Sequence, residues 1–314
     1  TALWALLLWQ QKETERESFV GLEKHTTSLA LAFAEHTEST LHRADHMLLE
    51  LREVWEIRRG DMAKAIDLNY RLLGSAVIHV GVRDAKGTLV FSSLDGYEPD
   101  RVYRELGQMD LRGLTDDKLY VWGPVQERAS GRWSIQIARP VYHHGDLTSV
   151  IVVSLDPHHV VRFQEKVDLG AQGVVSVVDD SGVIMARSIG LEKYVGRRLD
   201  FTPYTPNDAP PQGSFRRVAQ TDGVDRIYSY IKLKPYGLNV VISAGIDEQM
   251  AAVRHQSRLL ILVASLASLL LAGVVWQFLR GLDGLNRNNQ ALSILVEERT
   301  TDLQLAYQIA NSAN

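Results

Sequence analysis

The chain has 314 residues, 45% hydrophobic and 23% charged, which excludes a disordered polar chain and leaves room for about two domains. A net charge of −4 without any long Lys/Arg run provides no basic stripe, so no nucleic-acid partner is expected. The absence of cysteine excludes disulfides, thiolate nucleophiles, Fe–S clusters and thiolate zinc sites.

Residues 1–9 open the chain with an apolar run, Ala2 to Trp9, that reads as the last turns of a helix. Eight residues are too short to cross a bilayer, so this is expected to be the end of a first transmembrane helix. A signal peptide would show a basic start and a small-residue cleavage site, and neither is present.

Residues 10–64 are expected to form a long stalk helix. From Gln10 to Arg59 there is no proline and one glycine, Gly21. Phe19, Leu22, Leu29, Phe33, Leu41, Leu48, Leu51 and Trp55 recur mostly in steps of three, four or seven, which is helical periodicity. Such a helix would run about 75 Å at 1.5 Å per residue. His42 and His46 have a spacing that can hold a metal, and His36 is nearby. No carboxylate–histidine cluster converges there, so they are read as solvent-facing and no metal is expected.

The middle of the chain repeats itself. Val80-Gly81-Val82-Arg83-Asp84-Ala85-Lys86-Gly87-Thr88-Leu89-Val90-Phe91 is echoed about 95 residues on by Val175-Ser176-Val177-Val178-Asp179-Asp180-Ser181-Gly182-Val183-Ile184-Met185-Ala186. Both read as strand, Asp-x-x-Gly turn, strand, with glycine supplying a positive φ and Asp capping the turn. At the same offset Trp133 matches Tyr228, Ile135 matches Tyr230 and Pro140 matches Pro235. Val150 to Asp156 parallels Val240 to Asp247 after a shorter turn. The expectation is two copies of one module, 65–165 and 166–250. Each would be a hairpin, a variable segment and a meander of about three strands, giving an α+β fold with mainly antiparallel sheets. The variable segment Glu98 to Leu119 is expected to be helical. Leu191 to Gln212, with four prolines, is expected to be a loop over the sheet face.

Residues 259–279 are expected to be a transmembrane helix. Leu259 to Trp276 holds no charge and no strongly polar side chain beyond two serines, and Arg258 and Arg280 bracket the run. Residues 280–314 change pattern. Leu282, Leu285, Asn289, Leu292, Val296, Leu303, Ala306 and Ala310 follow three–four steps, interrupted by Arg299. That is the seam of a coiled coil, and Asn289 at an a position favours a parallel dimer in fixed register.

A long N-terminal helix, two tandem PAS-like modules and a closing transmembrane helix resemble the double Cache (PDC-type) periplasmic sensors of bacterial receptors. The residues that carry the resemblance are Gly131-Arg132-Trp133-Ser134-Ile135, Ala138-Arg139-Pro140-Val141, Ser154-Leu155-Asp156-Pro157, Asp168-Leu169-Gly170 and Asp179-Asp180-Ser181-Gly182, and it covers roughly residues 10–280. Val296-Glu297-Glu298-Arg299-Thr300 resembles the signalling helix that joins receptor spans to output domains. Ile309-Ala310-Asn311-Ser312-Ala313-Asn314 is similar to the lead-in of a histidine kinase dimerisation helix.

The resemblance implies a multi-pass inner-membrane homodimer with residues 10–258 in the periplasm, serving a sensor histidine kinase of a two-component system. The alternatives are a membrane diguanylate cyclase and, from another class, a membrane-anchored solute-binding module without output. It also implies a small-molecule ligand, usually in the membrane-distal module. There the candidates are Tyr120, Trp122, Arg132, Trp133, Arg139 and Tyr142: arginine for a carboxylate, aromatics to enclose it. By strand alternation Arg132 and Trp133 face opposite ways, so one of them leaves the site. Amino-acid-binding members carry an Arg-x-Trp-Tyr string that Arg132-Trp133-Ser134 does not reproduce, so a small carboxylate is the expectation. In the second module Arg187, Arg226, Tyr228 and Tyr230 are read as structural.

No catalytic set and no cofactor site is found in the chain: there is no phosphate-binding glycine loop and no nucleophile elbow. His143-His144 and His158-His159 are adjacent pairs whose rings diverge on a strand, and His158-His159 follows a helix-starting Asp156-Pro157.

Overall fold

A computed structural model describes residues 2–57, 61–73, 76–93, 111–126, 132–200 and 202–312. They separate into two compact units, Thr1–Ala251 and Ala252–Asn314.

The first unit opens with helix α1, Ala2–Ile57. The absence of proline lets it run unbroken, and its buried stripe repeats as the periodicity requires: Leu22, Ala30, Phe33, Leu41, Met47, Leu48, Leu51 and Trp55. Helix α2, Met62–Leu73, follows. The strands of the first module are β1 Val77–Asp84, β2 Leu89–Ser92, β3 Tyr120–Gln126, β4 Trp133–His143 and β5 Asp146–Leu155. Asp156 then caps the short helix α3, Pro157–Val161, its Oδ1 accepting from the His158 amide at 2.9 Å. The second module has β6 Val174–Asp179, β7 Ile184–Arg187, the one-turn helix α4 Leu191–Tyr194, β8 Gln212–Val218, β9 Asp225–Leu233 and β10 Leu238–Gly245.

The duplication is exact in topology. One five-stranded antiparallel sheet is ordered β2-β1-β5-β4-β3, the other β7-β6-β10-β9-β8. Turn chemistry makes the paired hairpins: the Asp84 carboxylate accepts the amides of Lys86 and Thr88, and that of Asp179 accepts those of Ser181 and Val183. Gly87 and Gly182 hold φ of 85° and 87°, a region closed to most side chains. Ser93 and Ser188 each clasp the strand opposite, their hydroxyls accepting from the Val80 and Val175 amides at 3.0 Å.

Both sheets turn one face to α1 and share one core with it. Ile137, Ile151 and Val153 of the first sheet join Val175, Val177 and Ile242 of the second around Phe33, Leu41 and Leu48. Thr26, early in α1, meets Ser229 of the second sheet at 2.8 Å; Trp55, near its end, donates to Ser149 of the first at 3.0 Å. The helix therefore passes the second module before it reaches the first.

In the meanders the repeat departs from the offset read in the sequence. Val80 and Val175 occupy equivalent places, and they pair with Val153 and Ile242, which pair in turn with Ile137 and Ser229. Tyr228 is thus the counterpart of Gln136 and Tyr230 that of Ala138, not of Trp133 and Ile135. The cause is a connection of different length between the hairpin and the meander in each copy. Of the segment Glu98–Leu119, expected to be helical, residues 98–110 lie outside the described residues, and the rest holds one 3-10 turn, Leu111–Gly113.

Helix α5, Ile246–Ser312, closes the chain. Its segment Ile246–Gly281 is the one helix among the described residues long and apolar enough to cross a membrane, and none of its most apolar stretch is buried. Further along the helix Leu292 and Val296 are exposed. The side chains at 282–291 and 302–312, which include the other seam positions Leu282, Leu285, Asn289, Leu303, Ala306 and Ala310, lie outside the described residues.

Candidate ligand-binding faces

In each sheet strand alternation leaves a second face, turned away from α1. On the first sheet Leu114, Ala138, Val150 and Val152 cluster there with Tyr120, Trp122 and Leu147. Beside them runs a buried polar ladder. The Ser154 hydroxyl donates to the Gln136 carbonyl at 3.1 Å, the Gln136 amide donates to the Ser134 hydroxyl at 2.8 Å, and that hydroxyl donates to the Val125 carbonyl at 3.3 Å. His79 is buried next to Gly81, where an added Cβ would sit 2.8 Å from its ring. Its Nε2 meets the Ser92 hydroxyl at 3.0 Å, and its buried Nδ1 has no hydrogen-bond partner among the described residues. Burial, assisted by Arg83, pulls its pKa down to about 4, so the ring is neutral at neutral pH.

The six candidate residues fall in four places. Tyr120, Trp122 and Tyr142 share the outer face. The Tyr120 hydroxyl accepts the Thr115 and Asp116 amides at 3.1 Å, and the Tyr142 hydroxyl donates to the Leu114 carbonyl at 3.0 Å. Arg139 takes the opposite side. Its Nε and Nη2 donate to the Asp45 carboxylate of α1 at 2.6 and 2.8 Å, and its Nη1 donates to Asp117 at 2.8 Å. Arg52 of α1 shares Asp117 at 2.7 Å, so Arg139 is a strut between sheet, helix and loop. Trp133 packs into the second module, where a Cβ on Gly196 would lie 2.7 Å from its Cη2. Arg132 is exposed at the surface, 3.8 Å from the Asp156 carboxylate. The six candidates therefore do not converge on one face; Arg132 and Trp133 diverge as strand alternation requires, and Arg139 also lies apart from the three tyrosine and tryptophan side chains of the outer face. Odd and even positions of β4 point to opposite faces, and the start of β4 meets the other module.

On the second sheet the outer face carries Tyr204, Tyr230, Val178 and Val241, with Phe215 and Tyr228 packed against them. Phe215 and Tyr228 stack at 5.0 Å with an interplanar angle of 4°. The proline-rich segment forms the cover, as its Tyr204 shows by lying 5.3 Å from the Tyr230 ring. Between cover and sheet is a cavity of about 60 Å³, bordered by Arg187, Tyr204, Phe215 and Tyr228. Arg187 and Arg226 are both buried and converge on Asp222, at 3.5 and 2.5 Å. Burial alone would raise the Asp222 carboxyl, but the Arg226 hydrogen bonds and the two positive charges hold it below the usual carboxylate range.

Sequence reading missed His79, Gln136 and Ser154 in the first face, and Tyr204 and Asp222 in the second. A polar side chain set among the apolar residues of a strand marks His79 and Gln136. Arg226 lies only four positions from Asp222, but nothing local marks the sharing of that carboxylate with Arg187 of β7. Among the remaining histidines, His42 meets the Tyr236 hydroxyl at 3.5 Å and His158 meets Glu192 at 3.7 Å. No group of three or more His, Asp or Glu able to hold a metal occurs among the described residues.

No family model matches the sequence, and no curated protein matches it. Solved structures do. The extracellular domain of rpHK1S-Z16, a candidate histidine kinase, is 23% identical with a TM-score of 0.62, over 72% of this chain and 95% of that one. The ligand-binding domain of the Pseudomonas aeruginosa amino-acid chemoreceptor PctB, in complex with L-Gln, is 19% identical with a TM-score of 0.55, over 73% of this chain and 93% of that one. That of the Pseudomonas fluorescens chemoreceptor CtaA, in complex with L-isoleucine, is 18% identical with a TM-score of 0.54, over 77% and 98%. Identity at this level speaks for the fold: a stalk helix bearing two PAS-like modules in series, the double Cache architecture of the extracellular sensor domains of histidine kinases and chemoreceptors.

Proposed function

We propose that the chain is the ligand-sensing and transmembrane signalling region of a dimeric bacterial receptor, with residues 10–258 in the periplasm and a sensor histidine kinase as its output. One observation carries this reading. Helix α5 starts at the last strand of a tandem sensor fold and continues without a break through a membrane-length apolar stretch into a segment with coiled-coil spacing. A mere anchor needs no such rod. The kinase output rests on the string Ile309 to Asn314.

The site we favour for sensing is the outer face of the first module, with Tyr120, Trp122 and Tyr142 as aromatic walls. Ser134, Gln136, Ser154 and neutral His79 supply its polar groups. Arg132 and Arg139 bring no charge to that face; the guanidinium beside it is Arg83, opposite Val150, whose Nη1 donates to the Gly87 carbonyl at 2.9 Å. The aromatic walls and hydrogen-bonding groups suit a small polar ligand. Ligand acts by differential affinity for two arrangements of the modules along α1, and only that difference can move the rod. The two modules share one core with α1, so a change of packing at one sheet is felt at the other.

The test is disulfide mapping with single cysteines from Leu282 to Leu303 in the membrane-embedded chain. Crosslink yields should peak every three to four positions, and a ligand found by thermal-shift screening should change them. Flat yields along the series would refute the rod, and peaks indifferent to every stabilising ligand would refute sensing.

A further inference from the structure

The second module buries more positive charge than it neutralises. Arg187 and Arg226 have side chains 9% and 3% exposed, and they share one carboxylate, Asp222. Arg226 takes both of its oxygens, at 2.5 and 2.9 Å. Arg187 is left 3.5 Å away, with uncharged partners for its hydrogen bonds: the Ile189 carbonyl at 3.0 Å and the Thr221 hydroxyl at 3.2 Å. Its Nη1 makes no hydrogen bond to a described residue. Burial lowers the pKa of Arg187 against the pull of Asp222, whereas for Arg226 burial is overcome by the hydrogen bonds and charge of Asp222 together with Tyr228, and its pKa is raised. The carboxylate thus serves Arg226 first. A buried guanidinium without its own counter-charge is costly, and an anion beside it removes that cost.

The place for an anion is present. Arg187 borders the 60 Å³ cavity. That 60 Å³ is space open to the centre of a water-sized sphere, of which about 10–15 Å³ suffices for one water, so the cavity admits a small carboxylate with a short alkyl end. Tyr204 borders the same cavity, and its hydroxyl makes no hydrogen bond to a described residue. Burial raises its pKa, which keeps it a protonated donor. Leu199, Phe215 and Val241 supply apolar wall.

We propose that this cavity is a second ligand site, separate from the outer face of the first module, which takes a small monocarboxylate of acetate to propionate size. The carboxylate pairs with the Arg187 guanidinium and accepts from the Tyr204 hydroxyl, and its alkyl end meets Phe215 and Leu199. The site also has a route to the output helix. Arg226 donates to the Gln172 carbonyl at 2.8 Å, and the amides of Ala171 and Gln172 donate to Glu248, in the first turn of α5, at 2.7 and 2.8 Å.

Calorimetric titration of the detergent-solubilised chain with sodium acetate and sodium propionate, at ionic strength matched by chloride, tests the proposal. Saturable binding of one carboxylate per chain is expected, with acetamide inert. Tyr204→Phe should weaken binding roughly five- to tenfold, and Arg187→Lys roughly tenfold or more. Should Arg187→Lys unfold the module, Tyr204→Phe, which keeps shape and charge, decides alone. Trp122→Leu, in the first module, should leave carboxylate affinity unchanged. No saturable binding, equal binding of acetamide, or an affinity untouched by Tyr204→Phe overturns the proposal. So does loss of binding in Trp122→Leu alone, which would move the carboxylate to the first module.

Discussion

Arg139→Ala should cost the protein about 2–4 kcal/mol of stability while leaving a ligand surface intact. The Arg139 side chain is 13% exposed and Asp45 20%, and their contact is two-pronged at 2.6 and 2.8 Å. Hydrogen bonds to charged groups contribute about 1.5–3 kcal/mol. Stranding the half-sheltered Asp45 carboxylate adds to the loss, because it keeps its desolvation and loses its partner. The second partner, Asp117, is 51% exposed and adds little at neutral pH. At about 2–4 °C per kcal/mol for a domain of this size, the melting temperature should fall by roughly 5–15 °C. Tryptophan fluorescence during heating would read it, and a double-mutant cycle with Asp45→Ala should return a coupling of about 1.5–3 kcal/mol. The acid limb carries a further sign. Burial would raise the Asp117 carboxyl, but the hydrogen bonds of Arg52 and Arg139 hold it below its ordinary value. Its contribution is therefore complete above the unfolded pKa of about 3.9 and disappears as pH falls through the lower folded value. Arg139→Ala should flatten that part of the profile. An unchanged melting temperature with coupling near zero would refute the strut and return Arg139 to the ligand candidates.

Asp222→Asn should be more damaging, since it leaves Arg187 and Arg226 both buried without a carboxylate. About 3–5 kcal/mol is expected from urea midpoints, and a loss below about 1 kcal/mol would contradict the shared-carboxylate reading. The folded pKa of Asp222 is depressed, so its stabilisation is present above about pH 4 and is lost as pH falls through the folded value, a dependence that Asp222→Asn should abolish. Gly196→Ala places a methyl 2.7 Å from Trp133 at a φ of +81°, and should destabilise the contact between the modules by about 1–3 kcal/mol. Trp133→Leu in the same chain should recover the steric share alone, and full recovery would mean that the backbone is not strained there.

What the amino-acid order determined by itself is what acts over a few residues. The three–four repeat without proline makes α1 a helix whatever lies beside it, and the Asp84–Gly87 and Asp179–Gly182 turns close hairpins with their own side chains. The apolar run after Arg258 and the likeness of the two hairpins are equally local, so the duplicated α+β architecture was legible before any fold was known. The sites were not. A strand's pattern says that Trp133 and Arg132 diverge, but which side receives α1 depends on contacts such as Arg139 with Asp45, 94 positions apart. The meander register slipped for the same reason: an offset read through one hairpin does not survive connections of unequal length. Asp222 became the shared counter-ion of two arginines because folding brings β7 and β9 to one loop. Charge buried in common is a property of that assembly, and no stretch of the chain encodes it alone.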